Sequence, residues 1–436
     1  MGPTGSTVDM DAVDRAIEAD AERAFVFLER LVAEPSVVGA EAPAQALVAD
    51  ELERLGFAVG RVAIPADIEQ HDGAGVPLLP YDGRDDVFGV LGPDEGRSLL
   101  VGGHIDVVPA EETGPWSSGP FVPTRRDGWM FGRGTGDMKG GLAMLSLAID
   151  ALRRVAPEAI DGPLRFLSVI EEECTGNGAL AACLAGQLAD AVVLTEPTGL
   201  DLLVAGVGIL WIEITITGKA AHAQSANTAV NPILEAIPVI GALRSLEREM
   251  NDRVDDPALE GDDHPYNINV GSIRSGYWAS SVPAVARLDV RIGHPTAWTA
   301  GDALERVRAA IEDAASDDAW LAEHPPAIRQ TGFRAQGYSL AADHPLAIAL
   351  SDAHQSVHGQ RPHAAGAGST TDARYFLNGF DTPAICYGPT ARNIHGTDES
   401  VELASIVNGA RTLTRFMTAW YAAPGGSTGE NGMEIR

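Results

Sequence analysis

The sequence predicts an α/β protein whose mainly parallel sheet is interrupted by a smaller α+β unit of ferredoxin-like order. Up to residue 205, short apolar runs alternate with helical patterns, which is typical of parallel sheets. From 206 to 335 the pattern follows the order β-α-β-β-α-β, and the first alternation then resumes. We therefore expect a discontinuous domain, 1–205 and 336–436, with an inserted domain, 206–335.

The elements of the first segment follow from apolar spacing and from turn residues. Apolar residues at helical spacing predict a helix over 9–33, and a second predicted helix is closed by Gly56. The elements that follow are a strand at 99–101, a helix at 138–155, a strand at 164–170, a helix at 178–186 and a strand at 191–197.

The inserted segment begins with "VGILWIEITITG", whose period of two is typical of a half-exposed antiparallel strand. Its further predicted elements are a helix at 229–249, strands at 266–276 and 284–293, a helix at 300–315 and a strand at 327–333. Beyond residue 341 we expect a helix at 345–357 and a strand at 381–388.

Composition excludes several classes of function. A net charge of −30 over 436 residues disfavours nucleic acid and anionic membranes as partners, because few cations remain to contact phosphates. No apolar run reaches the ~20 residues that span a bilayer, and the N-terminus has no secretory signal. Three scattered cysteines without a CxxC predict buried thiols and a cytoplasmic protein. The Gly-rich tail 423–436 is predicted to be disordered.

Acidic and imidazole side chains follow the predicted strands at the edge where open α/β sheets bind ligands. These candidates are His104, Asp106, Asp137, Glu171 to Glu173, Glu196 and His395. Imidazole and carboxylate ligands without thiolate suit Zn, Mn or Co. Two divalent ions need one bridging carboxylate, and two histidines with three carboxylates satisfy that count. Asp106 is too close in sequence to reach the same ion as His104, and is better placed to orient its imidazole.

Five motifs together resemble one known family. "GGHIDVVP", "GRGTGDMKGG", "EEECTGNGA", "TEPT" and "NIHGTDESV" resemble, in the same order, the acetylornithine deacetylase / succinyl-diaminopimelate desuccinylase family. That family also includes glutamate carboxypeptidases and aminoacylases. The resemblance covers nearly the whole chain and implies a zinc exopeptidase-like catalytic domain, with the inserted domain serving as a dimerisation and lid domain.

The resemblance assigns a role to each candidate ligand. It implies two divalent ions per subunit, zinc first, with cobalt or manganese as alternatives. His104 and Glu196 would bind one ion, His395 and Glu173 the other, and Asp137 would bridge them, while Asp106 would orient His104.

The three consecutive glutamates divide into different roles. In the family's Glu-Glu motif the first is the general base and the second a metal ligand, with a Gly five residues later. Gly178 lies five residues after Glu173, so the resemblance makes Glu172 the base. Glu171 is left without a role, and we expect it at the surface or at a strand end.

The implied reaction is metal-assisted amide hydrolysis. The ions would lower the pKa of a bridging water and polarise the carbonyl, and Glu172 would pass the proton to the leaving amine. The leading hypothesis is deacylation of a small N-acyl amino acid, as in acetylornithine deacetylase. A metallo-exopeptidase, either a dipeptidase or a carboxypeptidase, shares every catalytic residue, and an inactive dimeric binding protein is a further alternative.

Substrate contacts are also implied by the resemblance. Ser369, Thr370 and Thr371 match the family's small-residue substrate loop, with a plain turn as the alternative. His222 matches the histidine that enters the partner's active site in a homodimer as an oxyanion donor, and Arg291 matches the arginine that binds a substrate carboxylate. Either residue has a plain surface position as its alternative. The family's Asn is absent here, where the run is Ala279-Ser280-Ser281.

Two other interpretations of these motifs are disfavoured. "GRGTGDMKGG" is Gly-rich but lacks the G-K-[ST] of a phosphate-binding loop, so it is not expected to bind a nucleotide. Relatives that use a Cys metal ligand carry it near the first His, and "HIDVVPAEETG" contains none. The aminoacyl-hippurate and auxin-conjugate types are therefore disfavoured.

Overall fold

The structure is a computed structural model that describes residues 8–110 and 115–423. The N-terminus and the tail from 424 onward, which was predicted to be disordered, lie outside the described residues. Within the described ranges, none of the helices combines the length and the apolar character that crossing a bilayer requires. All three cysteines are buried and free, as predicted.

Helices account for most of the apolar surface that packs on the sheets. In chain order they are α1 Met10–Ala33, α2 Ala42–Arg54, α3 Gly140–Val155, α4 Asn177–Leu184, α5 Pro232–Asn251, α6 Ala300–Ser316, α7 Ala319–Glu323, α8 Pro345–His358, α9 Ala373–Gly379 and α10 Leu403–Ala422. Helix α3 is buried along nearly its whole length between α1 and α10.

Strands form two main sheets and two small ones. In chain order they are β1 Ala58–Ala63, β2 Asp85–Leu91, β3 Leu99–His104, β4 Thr124–Arg126, β5 Trp129–Phe131, β6 Leu164–Val169, β7 Val192–Leu194, β8 Leu202–Gly206, β9 Gly208–Thr217, β10 Ala221–His222, β11 Ile268–Ser275, β12 Ser281–Val282, β13 Val285–His294, β14 Ala327–Ala335, β15 Tyr338–Ser339, β16 Ala364–Ala367, β17 Ala384–Cys386, β18 Ala391–Arg392 and β19 Ser400–Glu402.

The large sheet is mixed rather than mainly parallel. Its order is β1-β2-β6-β3-β7-β17-β8-β15, with β16 beside β8. The four central strands β6, β3, β7 and β17 are parallel, as expected from the βα alternation. The flanking pairs β1–β2, β2–β6, β17–β8 and β8–β15 are antiparallel. The sequence analysis missed these flanks because it assigned no element to 58–91.

The second main sheet is formed by strands between residues 208 and 335. Its order is β11-β13-β9-β14, all antiparallel, and the sequence of elements is β9, α5, β11, β13, α6, β14. Among the described residues, the buried apolar side chains fall into two clusters, and one of them consists of residues between 207 and 335. Strand β11 is at the edge of this sheet. The domain boundaries at 205/206 and 335/336 stay a prediction.

Candidate metal centre

Five predicted ligands meet at the carboxyl end of the parallel strands. His104 is the last residue of β3, and its register partner on β6 is Val169, so the glutamate turn after β6 lies beside it. Gly102 of β3 pairs with Leu194 of β7, which brings Glu196 to the same edge. Asp137 and His395 reach this edge from loops.

The distances place one carboxylate between two histidines. Asp137 Oδ1 lies 3.0 Å from His104 Nε2, and its other oxygen lies 3.3 Å from His395 Nε2. Glu173 Oε2 is 3.0 Å from His395 Nε2, and Glu196 Oε2 is 3.8 Å from His104 Nε2. Ligand atoms of His104, Asp137 and Glu173 all lie within 4.8 Å of one another. The predicted set is therefore compact enough to surround cations.

Two glycines permit this close assembly. A Cβ at Gly103 would lie 1.9 Å from Met138 Cε, so a larger residue there would require the buried Met138 side chain to move. A Cβ at Gly178 would lie 2.3 Å from the carbonyl oxygen of Ile170. Gly178 therefore allows α4 to start directly against the glutamate turn. Both glycines belong to the motifs that were recognised in the sequence.

Asp106 joins the first histidine to the glutamate turn. Its carboxylate oxygens accept hydrogen bonds from the backbone N–H groups of Glu172 and Glu173, at 3.2 and 3.1 Å. His104 Nδ1 lies 2.9 Å from the Asp106 carbonyl oxygen and 3.7 Å from Oδ1. Asp106 is fully buried, and burial raises its pKa to about 7. It thus holds the turn in place and leaves His104 Nε2 facing the other ligands.

The electrostatics of the centre favour positive charge. Burial disfavours a charged His395, but hydrogen bonds to Asp137 and Glu173 outweigh it and raise the pKa of His395 to about 11. Burial likewise opposes a charged His104, but Asp137 and Glu196 raise its pKa well above the usual value. The two histidines in turn outweigh burial and lower the pKa of Asp137. A donor set with these properties suits a dication.

Glu172 lies beside the ligands on the wall of a cleft of about 700 Å³. Its residue is 7% exposed, and burial raises the pKa of its carboxyl group well above the usual value. A carboxylate that can accept and return a proton has this environment in many active sites.

Glu171 corrects one expectation of the sequence analysis. Instead of lying at the surface, it is 0% exposed, with φ 62°. One carboxylate oxygen lies 2.8 Å from Arg84 Nη1, and the other accepts hydrogen bonds from Tyr81 Oη and Thr175 Oγ1 at 2.7 and 2.6 Å. Arg84 also pairs with the buried Glu41. This neutralisation by Arg84 was not visible from a run of three acidic letters.

The predicted substrate residues of the cleft come together in part. Arg291 lines the cleft with Ser369 and Thr370, and its Nη2 donates to the Gly368 carbonyl oxygen at 3.0 Å. Thr371 is turned inward, with its hydroxyl 2.6 Å from Tyr338 Oη. Ser369 and Thr370 therefore line the same cleft as Glu172 and most of the predicted ligands, and their contact with substrate stays a prediction.

His222 does not join the cleft of its own chain. It ends the short strand β10, which pairs with Ser281–Val282, and its side chain is exposed. Its Nδ1 accepts a hydrogen bond from the Gln224 N–H at 3.1 Å. Its imidazole contacts none of the ligands described above within the chain.

The sequence analysis missed two further groups at the site. Trp211 and Phe333 line the cleft and pack edge to face with ring centroids 5.3 Å apart. Arg133 and Glu399 form a buried ion pair behind the ligands. Both members of the pair lie within recognised motifs, but nothing in the sequence indicates that residues 266 positions apart are in contact.

Comparison with known proteins gives a family and several relatives. The chain matches Peptidase family M20/M25/M40 over residues 100–419. A succinyl-diaminopimelate desuccinylase of Methylorubrum extorquens (strain PA1) is 29% identical over 413 residues, which cover 90% of this chain and 97% of the relative. An N-formyl-4-amino-5-aminomethyl-2-methylpyrimidine deformylase of Bacillus subtilis (strain 168) is 27% identical over 402 residues, covering 86% and 88%.

Solved structures share the fold at low identity. The di-peptidase Dug1p from Saccharomyces cerevisiae superposes with a TM-score of 0.81 at 16% identity, covering 96% of this chain and 99% of that one. Human carnosine dipeptidase 1 gives 0.74 at 17% identity, covering 94% and 99%. These likenesses concern the fold alone.

Proposed function

Because the chain belongs to Peptidase family M20/M25/M40, we propose that this metal-dependent amide hydrolase removes the acyl group from a small N-acyl amino acid. The observation that carries the proposal is that the five predicted ligands cluster beside a buried glutamate on the wall of a cleft. Curated relatives named as a desuccinylase and a deformylase both remove acyl groups from amines.

The residues fit two divalent ions. Asp137 directs one oxygen toward each histidine, as a bridging ligand would. His104 and Glu196 would hold one ion, and His395 and Glu173 the other, with zinc first and cobalt or manganese as alternatives. When bound, such ions lower the pKa of water and polarise a carbonyl group.

The chain's own groups would move the proton and hold the geometry. Glu172 would accept a proton from the attacking water and return it to the leaving amine. Burial raises the pKa of its carboxyl group above the usual value, which favours a group that accepts and returns a proton. Asp106 holds the backbone of Glu172 and also orients His104. The distance between the base and this ligand would therefore stay constant.

Recognition of the substrate would rest on the opposite wall of the cleft. Arg291 is the arginine among the residues that line the cleft, and it would bind the substrate carboxylate through its planar guanidinium. Ser369 and Thr370 would contact the polar atoms around the amide. Trp211 and Phe333 supply an apolar surface on the same side.

We also propose that the segment 206–335 is a dimerisation and lid domain that supplies His222 to the partner's cleft. Support comes from five exposed apolar side chains on this segment, here together called the lid patch. Its members are Ile233, Leu234, Ile237, Tyr277 and Trp278. The last two are 94% and 67% exposed, which is unusual for large apolar side chains in a monomer.

The dimer has its own test. Ile237→Asp combined with Leu234→Glu should convert the protein to monomers in analytical ultracentrifugation, because both side chains lie on the lid patch. The control is Ile348→Asp, since Ile348 is also exposed but lies on α8 in the other segment. A wild-type chain that sediments as a monomer and is fully active would refute both the dimer and the in-trans histidine.

We propose a cytoplasmic location. The three cysteines are free and buried, and none of them is paired in a disulfide, which agrees with a reducing compartment.

The substrate class is tested with a panel assay. Zinc- or cobalt-loaded protein is offered N-acetyl, N-formyl and N-succinyl amino acids and, separately, dipeptides, with Glu172→Gln as the inactive control. We expect hydrolysis of N-acyl amino acids with kcat/KM well above that for dipeptides. Preference for dipeptides would favour the exopeptidase, and metal binding without any hydrolysis would favour the binding protein.

A further inference from the structure

We propose that Glu399 and Arg133 are positioning residues that join the two halves of the metal centre, so that the bridging aspartate and the second histidine are set by one buried ion pair. This inference rests on the proposed dimetal site. It concerns residues that contact the backbone of the ligands rather than the cations.

Glu399 holds the loop that carries Asp137. Its residue is 0% exposed, and Oε1 accepts hydrogen bonds from the N–H groups of Gly134, Gly136 and Asp137 at 2.9, 3.0 and 3.1 Å. Three donors on one oxygen fix the direction of the backbone that presents the bridging carboxylate. Water could not easily replace this acceptor, because the site is buried.

Arg133 connects Glu399 to the second histidine. Its Nη1 lies 2.5 Å from Glu399 Oε2, and its Nη2 donates to the His395 carbonyl oxygen at 3.1 Å. Arg133 is 3% exposed. One guanidinium therefore contacts the carboxylate that orders Asp137 and the backbone that carries His395.

The loop around His395 needs such a support. Asn393, His395 and Asp398 all have φ between 54 and 62°, in the left-handed region that non-glycine residues rarely adopt. Such a strained backbone conformation persists only where neighbouring contacts hold it. Arg133 supplies one of these contacts at the ligand itself, and Ser117 holds Asp398 at 2.8 Å through its N–H.

Charge gives the pair a second role. Glu399 adds a carboxylate within reach of the backbone of Asp137, where several acidic ligands already repel one another. Because Arg133 neutralises it, Glu399 can accept the three N–H bonds without acting as a competing ligand. The structure thus assigns to the ion pair a structural support that adds no net charge to the centre.

The experiment is a cobalt titration of metal-free protein. Wild type, Glu399→Gln and Arg133→Lys are titrated with Co²⁺, and bound cobalt per chain and the visible absorption spectrum are recorded. We expect Glu399→Gln to weaken binding of the ion at His395 about 10- to 100-fold. The absorption spectrum should also change, because both ions would share Asp137. Arg133→Lys should weaken cobalt binding less, since lysine keeps the positive charge but lacks the planar guanidinium group.

The matched control is Glu247→Gln. Glu247 is also a buried glutamate that pairs with an arginine, Arg244, and accepts a backbone N–H, from Ile268 at 3.1 Å, but it lies in the second sheet's segment. The Glu247→Gln variant should have a lower free energy of unfolding but the same cobalt titration as wild type. Urea unfolding of the metal-free proteins shows that each variant is folded.

The outcomes separate this inference from the proposed function. A Glu399→Gln protein with the cobalt affinity and spectrum of wild type would overturn the positioning role, as would an equal loss in Glu247→Gln. If Glu399→Gln does not fold, Arg133→Lys carries the same comparison, and a wild-type titration from it overturns the role. A wild-type chain that binds fewer than two ions would refute the proposed dimetal site itself.

Discussion

The edge of the large sheet and the lid patch differ in how complete they are within one chain. At the sheet edge, ligands from four segments meet within hydrogen-bonding range, and their backbones are held by buried partners such as Asp106 and Arg133. At the lid patch, large apolar side chains are exposed, and His222 at the end of β10 is exposed as well. This difference is the reason why we propose that the candidate ligands meet within one chain, whereas a second copy covers the lid patch.

The largest expected effect is at the sheet edge. Glu172→Gln removes the group that would transfer the proton but keeps its size, so kcat should fall about 10²- to 10⁴-fold, with bound metal per chain unchanged. Rate measurements on the best panel substrate, together with metal analysis, check this. A variant that keeps wild-type kcat would remove Glu172 from the mechanism.

The next effect concerns the exposed region. His222→Ala should lower kcat about 10²- to 10³-fold, as expected for loss of an oxyanion donor, while metal content stays at the wild-type level. The loss would arise although His222 contacts none of the ligands in its own chain. Unchanged kcat would make His222 a surface residue.

Mixed dimers sharpen the same point. When inactive Glu172→Gln and His222→Ala subunits are mixed and exchanged, each hybrid dimer should contain one intact site, so about a quarter of wild-type activity should return. A mixture as inactive as its parents would show that His222 does not act across the interface.

A smaller effect separates Glu171 from its neighbour. Glu171→Gln should cost about 1–3 kcal/mol of unfolding free energy, because it weakens buried contacts to Arg84 and Tyr81. Its kcat should change only a few-fold. If instead Glu171→Gln lost turnover as Glu172→Gln is expected to, the assignment of the base would be wrong.

The last effect appears only at acid pH and concerns the stability of the second sheet. His294 is fully buried at the end of β13, and burial lowers its pKa from 6.5 to about 4. As the pH falls from about 6.5 to 4, the unfolded chain takes up this proton first, so the contribution of His294 to stability, about 3 kcal/mol, is lost over that window. Urea unfolding from pH 7.5 to 4 should show a flatter profile in His294→Gln. If the unfolding free energies of wild type and His294→Gln fell in parallel with pH, a lowered pKa of His294 would be contradicted.

Local patterns predicted much of the fold. Apolar periodicity located α1, α3, β3, β6 and the elements of the second sheet to within a few residues. It missed the antiparallel flanks of the large sheet, because a strand at a sheet edge is recognised by its partner more than by its own residues. It also assigned no element to α10. The mixed character of the large sheet was therefore found only in the structure.

The residue types of the candidate metal centre could also be predicted from the sequence. Metal chemistry restricts ligands to a few side chains, and these occur at strand ends in recognisable motifs. The sequence did not indicate which residues hold the backbone of these ligands. The contacts of Glu399 with Arg133, and of Glu171 with Arg84, join residues 266 and 87 positions apart.

The sequence by itself determined the alternation of helices and strands, the family, and the set of residues able to bind metal, since each follows from local patterns. Only the tertiary structure decided that Glu171 is buried, that one ion pair contacts the backbone of both Asp137 and His395, and that His222 does not line the cleft of its own chain. These depend on contacts between distant segments, and such contacts form when packing and charge neutralisation are satisfied together in three dimensions.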